Sequence, residues 1–266
     1  MSSPPFVSVL VAAVGDDVDL PAVLPPLPAE VEVVLVVDGR APAGLLAEAR
    51  ALRPGLVTVT QTRRGPGNAL ACGLRAARGD VVVLLAADGS SDPATIPRLV
   101  GALTAGADLA RASRFLTGGG SEDLALVREI GDDLLNLVAN LAFRTRASDF
   151  SSGYVAFWRD LAPVLDLPDV AVPAPFDGHL LPGDGPEVTA LVASRFAASG
   201  ARVVEVPTVE RRRRHGGRRL TARARALRVV GAERRRVLRR RRGDRTLHRA
   251  LVARPPRLVQ DLINAT

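Results

Sequence analysis

Apolar positions in the first half of the chain gather into short, unbroken runs. Residues 6–13 (FVSVLVAA), 31–37 (VEVVLVV), 56–60 (LVTVT) and 80–87 (DVVVLLAA) each read as a buried strand, and 107–113 (ADLARAS) as a weaker fifth. The stretches between them, 43–52, 67–77 and 93–105, carry helix-like spacing. Strands alternating with helices at this interval predict βαβ units, a mostly parallel sheet and right-handed crossovers. Ligands in such sheets collect beyond the carboxyl ends of the strands. The loops to watch are therefore 14–17, 38–42, 61–67, 86–92 and 114–120.

The second half is less regular. Residues 121–143 place Leu124, Leu126, Ile130, Leu134, Leu135, Val138 and Leu141 on roughly one helical face. A turn at 149 leads into a strand ending at Trp158, and 168–186 is rich in Pro, Gly and Asp, as loops are. A helix over 187–199 and a strand over 201–206 follow, and a further helix is expected through 221–242.

Charge changes the picture more than composition does. All 36 basic residues are arginine, and 17 of them crowd into 211–245 against Glu233 and Asp244 alone. That segment carries a net +15 and residues 246–266 a further +2, which leaves the first 210 residues at −9 within a chain total of +8. An acidic body with a basic tail seeks anionic partners through the tail. Leu220, Leu227, Val230, Val237 and Leu238 recur among the arginines at near-helical intervals, the pattern of an amphipathic helix lying on a membrane. Each arginine near an anionic surface contributes about 1 kcal/mol. Nucleic acid is disfavoured as a partner, since no aromatic residue interleaves the arginines.

Cys72 is the only cysteine, so neither an internal disulfide nor a cysteine-based metal site can form. His179, His215 and His248 lack zinc-ligand spacing. The N-terminus does not read as a signal peptide, and no apolar run approaches the length of a membrane span. The expected location is cytoplasmic, at the inner face of the plasma membrane. Cys72 on the apolar face of its helix, Tyr154 and Trp158 read as packing residues.

The segment 61–103 (QTRRGPGNALACGLRAARGDVVVLLAADGSSDPATIPRLVGAL) resembles the donor-binding core of family 2 inverting glycosyltransferases. Its closest likeness is to the polyprenyl-phosphate, or dolichol-phosphate-mannose-synthase-like, subgroup. VSVLVAAVGDD (7–17), LVVDG (35–39), GADLARASRFLTGGG (106–120), SDFSSGYVAFWRD (148–160), GDGPEV (183–188) and ARVVEVPTVERRRRHGGRRL (201–220) match further motifs in the right order. The resemblance implies a GT-A fold over residues 1–220, with 221–266 as an arginine-rich amphipathic tail. It implies transfer of a sugar, with inversion, from a UDP- or GDP-linked donor to a lipid phosphate, aided by Mg²⁺ or Mn²⁺ on the departing diphosphate.

The same resemblance assigns candidate residues. Donor contacts fall to Asp16, Asp38, Arg64, Gly65, Asp88 and Glu187, with Asp88 also the metal ligand. Acceptor-phosphate contacts fall to Arg114, Arg128, Arg214 and Arg219, with Arg213 beside them; arginine's planar fork suits phosphate oxygens. Asp149 is the candidate general base if the acceptor is a hydroxyl. Several positions depart from the family pattern. Ala86 stands where the Asp-Ala-Asp motif has its first acid, and Gly15, Gly39, Pro66, Pro186 and Thr189 replace polar or bulkier residues. These departures imply weakened metal binding. Their alternative implication is a non-catalytic scaffold at the membrane.

Overall fold

The structure is a computed structural model that describes residues 4–15, 17–39, 41–122, 126–175, 180–212 and 221–240. In chain order its elements are β1 (Val7–Ala13), α1 (Leu20–Val23), β2 (Glu32–Val37), α2 (Ala43–Leu52), β3 (Val57–Thr60), α3 (Pro66–Ala76), β4 (Val81–Ala86), α4 (Ile96–Thr104) and β5 (Leu109–Ser113). Then come β6 (Gly120–Ser121), α5 (Leu126–Phe143), β7 (Val155–Trp158), α6 (Val188–Ser199), β8 (Val203–Pro207), β9 (Val209–Glu210) and α7 (Thr221–Arg240). Short 3-10 turns precede α4 and follow β7.

Seven strands form one sheet in the order β3-β2-β1-β4-β7-β5-β8, and β6 pairs with β9 in a small separate ribbon. The sheet is parallel except for β7, which runs antiparallel to both β4 and β5. The expected α/β architecture, a mostly parallel sheet flanked by helices, is thus the observed one. The apolar runs account for it: β2 is buried along its whole length, and β1 and β4 nearly so. Helix α3 lies so close to the sheet that a Cβ on Gly73 would sit 3.1 Å from both Leu10 and Val36. Tyr154, Trp158 and Cys72 are core residues, and the Trp158 indole N–H donates to the Ala107 carbonyl.

The start of α3 is held by an ion pair that no motif announced. Arg63 and Asp184 are both buried, with Nε donating to Oδ2 at 2.6 Å and Nη2 to Oδ1 at 3.1 Å. Arg63 also donates to the Asp169 and Val172 carbonyls, so one guanidinium gathers two stretches of the 168–186 loop. That loop then closes on α3: Gly67 N–H donates to the Asp184 carbonyl at 2.8 Å. A Cβ on Gly67 would lie 1.8 Å from the Gly183 oxygen, and one on Gly65 would lie 2.2 Å from the Asp184 oxygen. The glycines of RRGPGN are therefore required by backbone packing.

The tail departs from expectation. Helix α7 is docked on α5 and α6. Val230 is buried with Leu135, Ala139, Phe150 and Ala193, and Ala226 and Leu227 pack beside it. Arg195 donates to Glu233, and Arg236 reaches Asp166 and Glu233. Leu227 and Val230, read as membrane-facing, thus face the protein, because two neighbouring helices offer them an apolar seat. Packing against the α/β domain continues past residue 220, the expected domain boundary. Leu220 and residues 241–266 lie outside the described residues.

Replacing Gly67 with Ala should destabilise the fold by about 1–3 kcal/mol, because a backbone carbonyl must move to admit the methyl group. Urea unfolding followed by circular dichroism reads this. An unchanged midpoint would show that the 183–185 loop is not pressed against α3.

Candidate active site

A cavity of about 340 Å³ opens at the carboxyl edge of the sheet. Its floor is apolar, formed by Leu10, Val36 and Leu84 of the strands and by Ala69, Leu70 and Val192 of α3 and α6. Its rim is polar: Ser90 and Ser91 after β4, Ser151 to Tyr154 before β7, Arg114 after β5, and Thr208 to Glu210 around β9. Ala86, Pro66 and Thr189 all line it. Three of the departures from the family pattern therefore meet in one place.

Arg114 is the most heavily engaged residue of the rim. Its Nε and Nη2 grip Asp149 as a fork at 2.7 and 2.8 Å, and its backbone N–H adds a third bond to the same carboxylate. Nη2 also donates to Ser151 Oγ at 2.7 Å, and Nη1 to Glu210 at 3.0 Å. Asp132 on α5 lies 3.7 Å away. Asp149 has no exposed surface, and the backbone around it is fixed in turn by Glu205, which accepts from the N–H groups of Ser148 and Asp149. Behind Glu205 sits Arg111, 2% exposed, 3.8 Å from that carboxylate and stacked over the Phe150 ring. Burial drives the Arg111 pKa below its ordinary value, against the pull of Glu205 and Asp149.

This network revises two expectations. Arg114 was expected to hold an acceptor phosphate, but its donors are spent on carboxylates. Within the cluster two arginines face four acids, Asp132, Asp149, Glu205 and Glu210, so the local charge is negative. Asp149 was the candidate general base. Burial alone would raise its carboxyl, but the hydrogen bonds and charge of Arg114 outweigh burial and hold it below the usual range. A carboxylate that is fully buried, doubly bonded and hard to protonate is a poor base. Its geometry is that of a positioning residue. Glu210, not Asp149, is the acid that faces the cavity.

The donor-side candidates scatter more. Asp88 is half-buried at the end of β4, and its Oδ1 accepts from both the N–H and the hydroxyl of Ser90, at 3.0 and 2.6 Å. The turn is propped from below by Asp19, whose N–H donates to the Ala87 carbonyl. Asp38 is half-buried at the end of β2, and Arg64 is exposed just before α3. Glu187 folds back on its own loop, accepting from Gly183 and Gly185. Asp16, Arg213, Arg214, Arg219 and the three histidines lie outside the described residues, as does the side chain of Arg128.

Among the described residues no group of three or more His, Cys, Asp or Glu could hold a metal ion. Asp88 is the carboxylate at the strand end, beside exposed Ala86. Magnesium-type sites often combine one or two carboxylates with water and substrate phosphates. Asp88 fits that role only as one ligand of a cation that the diphosphate itself helps to hold.

Two contacts that sequence reasoning missed bring the arginine run to this turn. Arg211 N–H donates to the Ser90 carbonyl at 2.8 Å, and its guanidinium donates to Asp92 at 2.8 Å. The buried Tyr154 hydroxyl reaches the Asp92 carbonyl from the other side, and burial together with the Asp92 charge pushes its pKa up. Nothing in the sequence pairs residue 211 with residue 90; only the β9 ribbon does.

Replacing Asp149 with Asn should cost about 3 kcal/mol, at the low end for a broken buried pair because Glu210 and Asp132 still face Arg114. The lowered pKa adds a pH signature. Its stabilisation is complete above the unfolded value of roughly 3.9 and is lost as pH falls from there through the lower folded value. Urea titrations across the acid range should show a flatter acid limb in the variant than in the parent. Equal limbs would show that the pair contributes no such stabilisation.

Comparison with known proteins agrees with this geometry. Residues 23–162 match the family model described as Glycosyl transferase family 2. An undecaprenyl-phosphate mannosyltransferase of Micrococcus luteus is 33% identical over 181 residues, 65% of this chain and 70% of the relative. An uncharacterized glycosyltransferase of Mycobacterium bovis is 36% identical over 108 residues, 41% of this chain and 48% of that relative, so the match spans about half of its length. Glucosyl-3-phosphoglycerate synthase from Mycobacterium tuberculosis, crystallised with Mn²⁺, UDP and phosphoglyceric acid, superposes with a TM-score of 0.58 at 23% identity, over 88% of this chain and 76% of the other. Its likeness is one of fold, the GT-A fold. These relatives are transferases, and none of them supports a scaffold without catalysis. With the family model covering more than half of its length, the chain belongs to glycosyl transferase family 2.

Proposed function

We propose that this glycosyltransferase moves a sugar from a nucleotide diphosphate sugar to a lipid phosphate of the polyprenyl type, with inversion at the anomeric carbon. The observation that carries the reading is the seating of Arg211 on the Ser90–Asp92 turn. It brings the start of the arginine run beside Asp88, where a departing diphosphate accumulates charge. The sequence likeness to an undecaprenyl-phosphate mannosyltransferase supports the acceptor class.

In this reading an oxygen of the acceptor phosphate attacks the anomeric carbon from the side opposite the nucleotide. The new C–O bond forms as the bond to the diphosphate breaks, and the electron pair leaves with the nucleoside diphosphate. A phosphate monoester is substantially ionised at neutral pH, with a second pKa of roughly 6, so no general base is required. The arginines from 211 onward, Arg214 and Arg219 among them, neutralise the two phosphate groups. Arg114 and Asp149 hold the 148–154 turn and β9 in place around the cavity. A cation bound jointly by Asp88 and the diphosphate would supply further charge stabilisation. Asp38 and Arg64 remain the donor-side contacts of this reading. No described helix is long and apolar enough to cross a membrane, so the reading has the protein bind the anionic inner face peripherally, through its basic surface.

Incubating the full chain with radiolabelled UDP- and GDP-sugars and polyprenyl phosphate should give a chloroform-soluble glycolipid that survives mild alkali. Substituting Arg211 with Ala should reduce the rate by roughly tenfold to a hundredfold, since the Asp92 contact that seats the arginine run on this turn is lost. Label that reaches no lipid with either nucleotide would overturn the proposal.

Metal dependence gives a separate outcome. Manganese paramagnetic resonance should detect weak binding to the chain alone and tighter binding once UDP or GDP is present. Ala86→Asp should strengthen the metal-alone affinity by roughly tenfold, since charge count tunes such sites. Tight binding without nucleotide in the parent would refute the shared-cation idea.

A further inference from the structure

Helix α5 has two faces with different surroundings. Its inner face carries Asp132, near Arg114, and Asn136, whose amide ties the Ser148 carbonyl and the Phe150 N–H. Leu135 and Ala139 are buried beneath it. The outer face carries Leu134, Leu137 and Leu141, which are 51, 57 and 73% exposed. Spaced by three and four residues, these leucines form one ridge along the helix. Few large apolar residues are exposed among the described residues, and three of them stand in this one line. Such a ridge marks an interaction surface.

Charge decides what covers it. Arg144 and Arg146 are exposed just past the end of α5. Helix α7, packed alongside α5, exposes Arg225, Arg228, Arg235 and Arg239, while among the described side chains of α5 Asp133 is the exposed acid. A second copy would bring two arginine-rich helices together, and like charges oppose that pairing. A nucleic acid would satisfy the arginines but leave three leucines against phosphate and water. An anionic lipid surface satisfies both, apolar ridge into the acyl boundary and guanidinium groups among the headgroups.

We infer that the Leu134–Leu137–Leu141 ridge of α5 is the surface that enters the bilayer, in place of Leu227 and Val230 of α7, which pack against the domain. The inference deepens the lipid-phosphate reading and rests on it. One helix then meets the lipid on its outside and the Arg114 network on its inside, about a helix diameter of 10 Å apart. A phosphate headgroup at the cavity needs no further reach to keep its chain in the membrane.

The test uses the full chain labelled with an environment-sensitive fluorophore at Leu137→Cys; the one native cysteine, Cys72, is buried. Vesicles of phosphatidylcholine with phosphatidylglycerol should raise the emission by about twofold or more, and nitroxide lipids should quench it, as expected for a residue at the acyl boundary. A label at exposed Glu48→Cys on α2 should not respond. Replacing all three leucines with Ser should weaken partitioning into these vesicles by roughly 30-fold or more. Binding of UDP- or GDP-sugar, measured by calorimetry without lipid, should be unchanged and shows that the variant is folded.

Vesicle binding with a silent probe at 137 would overturn the inference in favour of the arginine tail alone. A dimer that the triple variant abolishes, with vesicle binding intact, would overturn it in favour of a second copy. The two proposals fail separately. Insertion without glycolipid formation sinks the acceptor reading, and transfer to a short, water-soluble polyprenyl phosphate without insertion sinks the ridge.

Discussion

The buried fork between Arg114 and Asp149 is the constraint on which the rest of the site depends. It joins the end of β5 to the turn that enters β7, and through Glu210 it reaches β9. Those segments are far apart in sequence, and each contributes a wall of the cavity. Burying both charges is expensive, and the cost is offset only because every partner is near and well directed. One layer deeper Glu205 and Arg111 form a looser buried pair, 3.8 Å apart, with Glu205 accepting from the backbone of Asp149. The site is thus assembled around charges that are paired with one another.

That arrangement separates two uses of arginine in one chain. Arg63, Arg111 and Arg114 are buried, each facing one or more acids, and they organise backbone. The excess of positive charge lies later in the chain, in the net +15 of residues 211–245, and α7 exposes several of those arginines. Arg211 marks the border, since it is half exposed yet tied to Asp92. The negative balance of the first 210 residues reflects the acids needed to anchor the first group.

The sheet was legible because its strands are short apolar runs, and burial of such runs leaves little choice of structure. The helices over 43–52 and 187–199 followed from spacing almost to the residue. The two-residue strands β6 and β9 were not legible, since Gly120–Ser121 and Val209–Glu210 carry no pattern of their own. The site was read less well for a related reason. Motif positions show which residues stand at the strand ends; of Asp88, Arg114 and Asp149, Arg114 lines the cavity, Asp149 is bonded behind it, and Asp88 sits on the turn whose Ser90 lines it. The motifs do not show which charges are already paired. Arg114 looked available in the sequence because its three acidic neighbours lie 18 to 96 positions away. The amphipathic pattern of α7 was real, but a periodicity cannot say whether protein or lipid receives it.

The antiparallel insertion of β7 between β4 and β5 has a consequence for how the chain comes together. Strands β1 to β4 form a sequence-local parallel block whose edge strand β4, central in the finished sheet, stays unpaired on one side until residues 155–158 arrive. An open strand edge of Val and Leu is a template for association with other chains. During synthesis that edge is bare for some seventy residues, the separation between β4 and β7. Closure of the middle of the sheet is therefore a late, long-range event. Fragments that stop short of Trp158 should be sticky in a way that the whole protein is not.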